Sequence, residues 1–281
     1  MAEPQTGSGS ASGQIAVADL THERERLLVT GDDRTSFLQG QCTNDVKTLS
    51  IGQSCYAAFL NAKGKMRGEG YVVCLPDAFL LDANPGLGPA LGSFVVTEDV
   101  TIEDVTARLG EWLLMGEQTA RLPSKAAAFR HPLGLGVISE EPMIATISTD
   151  TLEVLRLEAA VPRWGLDMDE NVIPNEAGLE QRAISYDKGC YIGQETIARI
   201  KTYGHVNRRL VQLAFAGDNL PARGERILAN GRDIGHVTSA AFSSRLGKAL
   251  ALGYVRRDFA MAGVKLELNN QTAEVLRICG E

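Results

Sequence analysis

Apolar residues in this chain come in short runs, alternating or continuous, punctuated by glycine, asparagine and aspartate, which is the pattern of a sheet-rich α+β protein. Residues 25–30 read as a strand, and Gly31-Asp32-Asp33 then supplies a turn and an N-cap for an amphipathic helix through Phe37 and Leu38. Thr43-Asn44-Asp45 follows as polar loop. Residues 55–60 and 66–75 are apolar enough for two strands, and Asn61-Ala62-Lys63-Gly64 between them has the chemistry of a hairpin turn. Strands are expected at 78–82, 100–105 and 111–115, with a helix near 87–95. Leu152, Leu155 and Ala159 fall at helical spacing over 151–160, before Pro162, Trp164 and Gly165 break the pattern. Further short helices are expected at 175–183 and from Gly193 to Gly204.

After Gly204 the character changes. The runs 209–216, 225–228, 233–238, 248–256, 264–268 and 274–278 are strand-like and separated by turn residues, which predicts a small antiparallel barrel or sandwich beginning near residue 206.

Composition narrows the class. Hydrophobic residues make up 44% and charged residues 22% of 281 positions, enough for a packed core and against disordered, collagen-like or coiled-coil chains. That length suits two domains at about 100–200 residues each, or one large fold built of two or three subdomains. No apolar run approaches the roughly 18–20 residues of a membrane helix, so no membrane partner is expected. With 28 basic against 35 acidic residues the net charge is -7, which argues against direct nucleic-acid binding. The five cysteines (Cys42, Cys55, Cys74, Cys190, Cys279) are widely spaced with no CxxC, fitting neither a disulfide framework nor a zinc site but a reducing cytoplasm. Residues 1–14 are Gly/Ser-rich without Lys or Arg and are expected to be a disordered leader. The sequon Asn270-Gln271-Thr272 carries no weight in a cytoplasmic protein.

No GxxxxGK[ST], GxSxG or HExxH occurs, and Gly86-Leu87-Gly88 lacks the third glycine of a dinucleotide site. The unusual cluster is Lys188-Gly189-Cys190-Tyr191-Ile192-Gly193-Gln194-Glu195, a lone cysteine between two glycines just before an amphipathic helix. A thiol near a helix N-terminus with a lysine two residues away is a candidate for a lowered pKa, because dipole and cation both favour thiolate. The alternative is a small buried cysteine in a glycine-lined tight turn.

This octapeptide resembles the KGCYxGQE signature of the YgfZ-type folate-binding proteins, relatives of the glycine-cleavage T-protein (aminomethyltransferase). The likeness runs along nearly the whole chain. Gly31-Asp32-Asp33-Arg34, Phe37-Leu38-Gln39-Gly40-Gln41 and Thr43-Asn44-Asp45-Val46 resemble the family's N-terminal block, and Asn61 to Met66 its hairpin turn. Leu155-Arg156-Leu157-Glu158-Ala159 and Pro174-Asn175-Glu176-Ala177-Gly178-Leu179 resemble the folate-cleft segment. Gly235 to Ser239 and Ala249 to Val255 resemble the barrel. The resemblance implies a T-protein-like folate-binding fold of two α+β subdomains plus a C-terminal antiparallel β-barrel, ring-like around a central cleft. Residues 15–205 would form the folate-binding region (subdomain 1 about 15–50 and 145–205, subdomain 2 about 51–144) and 206–281 the barrel.

The same resemblance implies tetrahydrofolate, or a folate derivative, as cofactor and no metal. Cys190 would be the reactive thiol, tuned by Lys188 within the motif residues Gly189, Tyr191, Gly193, Gln194 and Glu195. A pterin asks for a flat apolar wall and a carboxylate that accepts from its N3–H and 2-amino donors as a bidentate pair. Trp164 stands where the T-protein has an aromatic contacting folate. Glu158, Asp167, Glu170 and Glu176 are the available carboxylates; Glu170 or Glu158 is favoured for the pterin edge, and the spacing leaves that choice open. Asn44 is a further expected contact. The basic cluster Arg199, Lys201, His205, Arg208 and Arg209, with Arg199 foremost, is expected to hold a polyglutamate tail or a phosphate-bearing partner, the other reading being a solvated helix face.

One departure matters for activity. Aminomethyltransferases carry an Asp pair after the hairpin glycine, the first being the catalytic acid–base carboxylate; aligned on Asn61 and Gly64, those positions are Gly68-Glu69. Losing a positioned acid–base group forfeits about 10²–10⁴ in rate, so glycine cleavage is not expected. The expected role is that of a cytoplasmic folate-binding protein supporting assembly or repair of iron–sulfur enzymes, including those that modify tRNA, with iron–sulfur client or assembly proteins as partners. The rivals are a folate-dependent one-carbon transferase or demethylase using Glu69, and a non-catalytic, folate-regulated scaffold for iron–sulfur clients.

Overall fold

The structure, a computed structural model, describes residues 15–116, 122–268 and 271–281. The expected leader, residues 1–14, lies outside the described residues. The chain opens with β1 (Ala16–Asp19) and β2 (Glu25–Thr30), turns into α1 (Arg34–Gln41), and runs through β3 (Ser54–Leu60), β4 (Met66–Cys74), β5 (Phe79–Ala83), α2 (Leu87–Gly92) and β6 (Thr101–Asp104). Next come β7 (Gly110–Met115), β8 (Ala127–His131), β9 (Gly134–Ser139), α3 (Thr149–Glu158), α4 (Glu180–Ala183) and α5 (Gln194–Tyr203). The last six strands are β10 (Arg208–Phe215), β11 (Arg226–Ala229), β12 (Arg232–Ser243), β13 (Lys248–Arg256), β14 (Lys265–Leu268) and β15 (Gln271–Ile278).

Pairing gathers these into a five-stranded sheet (β3-β4-β5-β2-β6), a four-stranded sheet (β1-β7-β9-β8) and a closed barrel (β10-β13-β12-β11-β14-β15). The two open sheets regroup the chain differently from the expected split at residues 50 and 144. β2 pairs with β5 and β6, and β1 with β7, so residues 51–144 contribute to both sheets. Lateral pairing follows which faces are buried together, and adjacency in sequence does not decide it. β1, β8 and β9 were not expected from the pattern; they are short, and β9 begins Gly-Leu-Gly. The helix expected over 175–183 shortens to α4 because Gly178 adopts a left-handed backbone (φ 74°) and lies against the Cys279 carbonyl.

Period-two alternation gives the five-stranded sheet two different faces. Leu27, Val29, Phe59, Val72 and Leu81 pack under Phe37 and Leu38 of α1 and Leu87 and Leu91 of α2. The opposite row joins a second core that includes Phe129 of β8, Leu157 of α3, and Leu210, Leu252 and Tyr254 from the outside of the barrel. Asp167 fixes the barrel to this core. Its buried carboxylate accepts from Arg156 Nη1 (2.6 Å), Ser239 Oγ (2.7 Å), Thr238 Oγ1 (2.5 Å) and the Arg163 N–H (3.0 Å).

Candidate functional site

The inward face of the five-stranded sheet carries the unusual residues. Tyr56 of β3 pairs with Tyr71 of β4, Tyr71 with Asp82 of β5, and Asp82 with Arg26 of β2, so four adjacent strands place one transverse row of polar and aromatic side chains. Glu69 lies two residues before Tyr71 and therefore on the same face. Opposite stands β8, whose Phe129 stacks on Tyr71 with centroids 4.1 Å apart and planes 24° apart. Gly136 on the paired strand makes this possible, because a Cβ there would sit 2.2 Å from the Phe129 ring. Between the sheets and α3 lies a cavity of about 500 Å³, lined by Tyr56, Tyr71, Phe129, His131, Trp164 and a ring of charged residues.

Arg24, in the loop before β2, holds the carboxylates of this ring. Its Nη1 donates to Glu69 Oε1 (2.5 Å) and its Nε to Asp82 Oδ1 (2.6 Å). Arg26 is fully buried and donates to the carbonyls of Thr21, Arg24 and Thr106; burial lowers its pKa against the fields of Glu111, Asp82 and Asp104. Burial also raises Asp82, against the pull of Arg24. At the margin, Arg163 pairs with Glu23 (3.0 Å), and the Arg182 guanidinium lies 4.4 Å from the Tyr56 centroid with no ion pair among the described residues. His131 is held neutral: burial, reinforced by Arg182 and Arg24, pushes its pKa down to about 3. Its Nδ1 accepts from the Leu133 N–H (3.1 Å), which leaves the proton on Nε2. Chemically the cavity offers a flat aromatic wall, several carboxyl acceptors and marginal guanidinium groups, suited to a flat nitrogen heterocycle with an acidic tail.

Of the expected ligand residues, Trp164 lines this cavity. The carboxylates singled out by spacing do not. Glu170 is exposed, Glu158 is bound to Ser243 Oγ (2.5 Å) and Arg245 Nη2 (2.7 Å) of the barrel, and Glu176 is paired with Arg208 (3.1 Å). Asn44 instead positions the wall: its Nδ2 donates to the carbonyls of Tyr56 (2.8 Å) and Arg182 (3.1 Å). The basic cluster is dispersed. Arg199 pairs with Glu195 on the exposed face of α5 (2.7 Å), Lys201 caps the Tyr186 ring (3.7 Å), and Arg209 pairs with Glu281. The acids that do line the cavity, Glu23, Glu69, Asp82, Glu111 and Glu153, come from separated segments. A usable signal was present in two of them: Asp82 interrupts the apolar run Phe79-Leu80-Leu81, and Glu111 directly precedes Trp112-Leu113-Leu114.

The motif loop is explained largely by packing. Lys188, expected beside the thiol, has its buried Nζ donating to the carbonyls of Gln39 (2.9 Å), Cys42 (2.6 Å) and Asn44 (2.7 Å), which pins the loop to the end of α1. Tyr191 is buried. Gly193 has a left-handed backbone (φ 84°), and a Cβ on it would lie 2.6 Å from the Asn61 carbonyl oxygen, so the start of α5, with Gln194 and Glu195, sits directly on the hairpin turn. Gly189 faces open space, and Cys190 is an exposed free thiol that is not among the cavity-lining residues. A Cβ on Gly68 would lie 2.3 Å from Asn84 Oδ1 and 2.9 Å from Leu87 Cδ1, whereas its neighbour Glu69 lines the cavity.

Two open sheets that enclose a ligand-sized cavity, with a six-stranded barrel packed on the core they share, define a glycine-cleavage T-protein fold. The crystal structure of the glycine cleavage system aminomethyltransferase T from Bartonella henselae superposes with a TM-score of 0.80 over 93% of this chain and 85% of that one, at 19% identity. The GCVT N-terminal domain matches residues 10–129, and the glycine cleavage T-protein C-terminal barrel domain residues 208–277. An aminomethyltransferase of Caldanaerobacter subterraneus is 33% identical over 89% of this chain and 79% of its own length, and the chain belongs to this aminomethyltransferase family. A chloroplastic protein of Arabidopsis thaliana named as a candidate transferase is 28% identical over 89% of this chain and 67% of its own. The Rippkaea orientalis aminomethyltransferase matches over a shorter stretch, 39% identical over 41% of this chain and 31% of its own length.

Proposed function

We propose that the central cavity binds a reduced folate, tetrahydrofolate or a derivative, and that the protein serves iron–sulfur enzymes rather than cleaving glycine. The observation that carries the ligand is the aromatic wall of Tyr71, Phe129 and Trp164 set against Glu69, Asp82 and Glu111. The wall suits a pterin face, the carboxyls suit its N–H donors, and Arg163 and Arg182 suit the acidic tail. Bound folate would supply a one-carbon carrier; the chain's own part is to orient the ring and exclude water. The iron–sulfur role, including enzymes that modify tRNA, rests on the KGCYIGQE octapeptide and on the outward presentation of Cys190, which leaves that thiol free to meet a client or assembly protein in a reducing, cytoplasmic compartment. Among the described residues no helix is long and apolar enough to cross a membrane, and no membrane or nucleic-acid partner is proposed.

A one-carbon transferase is the second reading, favoured by the reach of Glu69 into the cavity. Its clamp on Arg24 makes it an anchored carboxylate rather than a free base. Tetrahydrofolate titration followed by Trp164 fluorescence, with Trp164→Phe to assign the signal, tests the ligand; no saturable change and no binding heat would refute it. Turnover of N-methyl or aminomethyl donors, abolished in Glu69→Gln, would select the transferase. Loss of iron–sulfur enzyme activity in a deletion strain carrying Cys190→Ala would select the thiol role, and full rescue by that variant would select the scaffold.

A further inference from the structure

The central cavity has a neighbour. Where β3 and β8, the edge strands of the two open sheets, come opposite one another, a second pocket of about 440 Å³ adjoins the first, and Tyr56, Tyr71, His131 and Arg182 line both. The two spaces differ in charge. Acids ring the central cavity, whereas among the described residues no Asp or Glu lines the second, which carries Arg130 and Arg182.

Arg182, on α4, is the cation at the junction. Its guanidinium lies over the Tyr56 ring, and among the described residues only its backbone carbonyl, which accepts from Asn44 Nδ2, takes part in a hydrogen bond. A cation resting on a ring face keeps its N–H donors for an anion, and a carboxylate takes two of them at once. His131 adds a neutral donor beside it: Nδ1 accepts from the Leu133 N–H, and the Nε2–H has no partner among the described residues. The other margins of the central cavity are less suited to an anion. Arg163 is already matched by Glu23 (3.0 Å) and Glu153 (3.5 Å). Arg182 also borders a smaller hollow of about 240 Å³, but there Glu281 contributes a carboxylate and Arg277 is engaged by Gln212 Oε1 (2.9 Å) and the Glu158 carbonyl (2.6 Å).

We propose that the second pocket is a subsite for an acidic tail: a ligand whose ring occupies the central cavity sends its carboxylates past His131 and Arg182 into the space between β3 and β8. This rests on the folate reading and deepens it, because the subsite selects folates whose tail is a chain of γ-linked glutamates over those with a single one. Each further carboxylate meets positive potential there, and a short tail leaves that potential unused. The tail is held from α4 and β8, and Arg199 on α5 has no part in it.

The test is calorimetric titration of the full-length protein with tetrahydrofolate bearing one glutamate and with tetrahydrofolate bearing a chain of several. The wild type should bind the longer ligand about fivefold to tenfold more tightly, and the advantage should shrink to within about twofold at about 0.5 M salt, where screening shortens the reach of partly exposed charges. Arg182→Gln should lose the advantage, Arg182→Lys should keep part of it, and Arg199→Gln should keep all of it. Both ligands are measured on every variant, so the ratio of affinities reports the tail and not the amount of folded protein. Equal affinities in the wild type, an advantage that salt leaves unchanged, one retained in full by Arg182→Gln, or one lost in Arg199→Gln would each overturn the tail subsite while leaving the folate reading standing. Failure of the wild type to bind either ligand would overturn both.

Discussion

Arg24 is the side chain on which the charged wall of the cavity depends, and Arg24→Met is the perturbation that exposes this. Its guanidinium donates to Glu69 and Asp82, whose side chains are 5% and 3% exposed, so methionine leaves two buried carboxylates facing one another without their shared cation. Removing one partner of a buried pair costs about 3–5 kcal/mol, most of it the penalty of the charge left behind. That penalty is relieved by protonation. Without Arg24 the folded-state pKa of these acids lies above the unfolded value, so the stability they support is present at low pH and is lost as pH rises through the folded value. Urea denaturation of the wild type, Arg24→Met and the double variant Arg24→Met/Glu69→Gln at about pH 7 and about pH 5 separates the contributions. Arg24→Met should lose about 3–5 kcal/mol at the higher pH. The deficit should narrow at the lower pH by about 1.4 kcal/mol for each pH unit over which one proton is taken up. Neutralising Glu69 in the double variant should restore part of it. A loss below about 1 kcal/mol, or one equal at both pH values, would refute the view that Arg24 compensates buried charge.

The neutral, buried His131 makes a second pH prediction. Its folded pKa of about 3 lies below the ordinary 6.5, so the unfolded chain takes a proton the native state refuses and stability falls as pH drops from about 6.5 toward 3. By pH 5 this amounts to about 2 kcal/mol, and His131→Asn, which keeps an acceptor near Nδ1, should flatten that slope; an unchanged slope would place the titration elsewhere. Gly193→Ala should cost at least about 1–2 kcal/mol for its left-handed backbone alone, with the Asn61 contact adding to it. Gly189→Ala, facing open space, should stay within about 0.5 kcal/mol, and equal melting temperatures for the two variants would contradict the docking of α5 on the hairpin. In native protein an aromatic disulfide reagent should label Cys190 first, and Cys42 and Cys279 only on unfolding, because Cys190 alone of these three is exposed. Labelling that survives Cys190→Ser at the same rate would refute this.

Local pattern read the elements well and the site poorly. The six runs expected after Gly204 correspond to the six barrel strands, and the hairpin around Asn61 and the helices near Phe37 and after Gly193 are where spacing put them. Those features are local: a turn residue or an apolar period acts on its own few neighbours. The carboxylates for the pterin edge were sought near Trp164 because they are close in sequence, and Glu158 and Glu176 proved to be ion-paired to the barrel. Lys188 was assigned to Cys190 by a separation of two residues, and its ammonium is held by carbonyls 144 to 149 positions away.

The sequence by itself therefore determined the inventory: a sheet-rich chain, its turns, its terminal barrel, and a likeness to the aminomethyltransferase family. Only the tertiary structure decided which side chains meet. Tyr71, Asp82, Glu111, Phe129 and Arg24 come from separate strands and a loop, and they converge because β2 inserts between β5 and β6 while β7 and β8 build the facing sheet. Strand alternation sets which face a residue takes, whereas lateral pairing and the stacking of sheets set what that face looks at, and no periodicity within one segment carries that information.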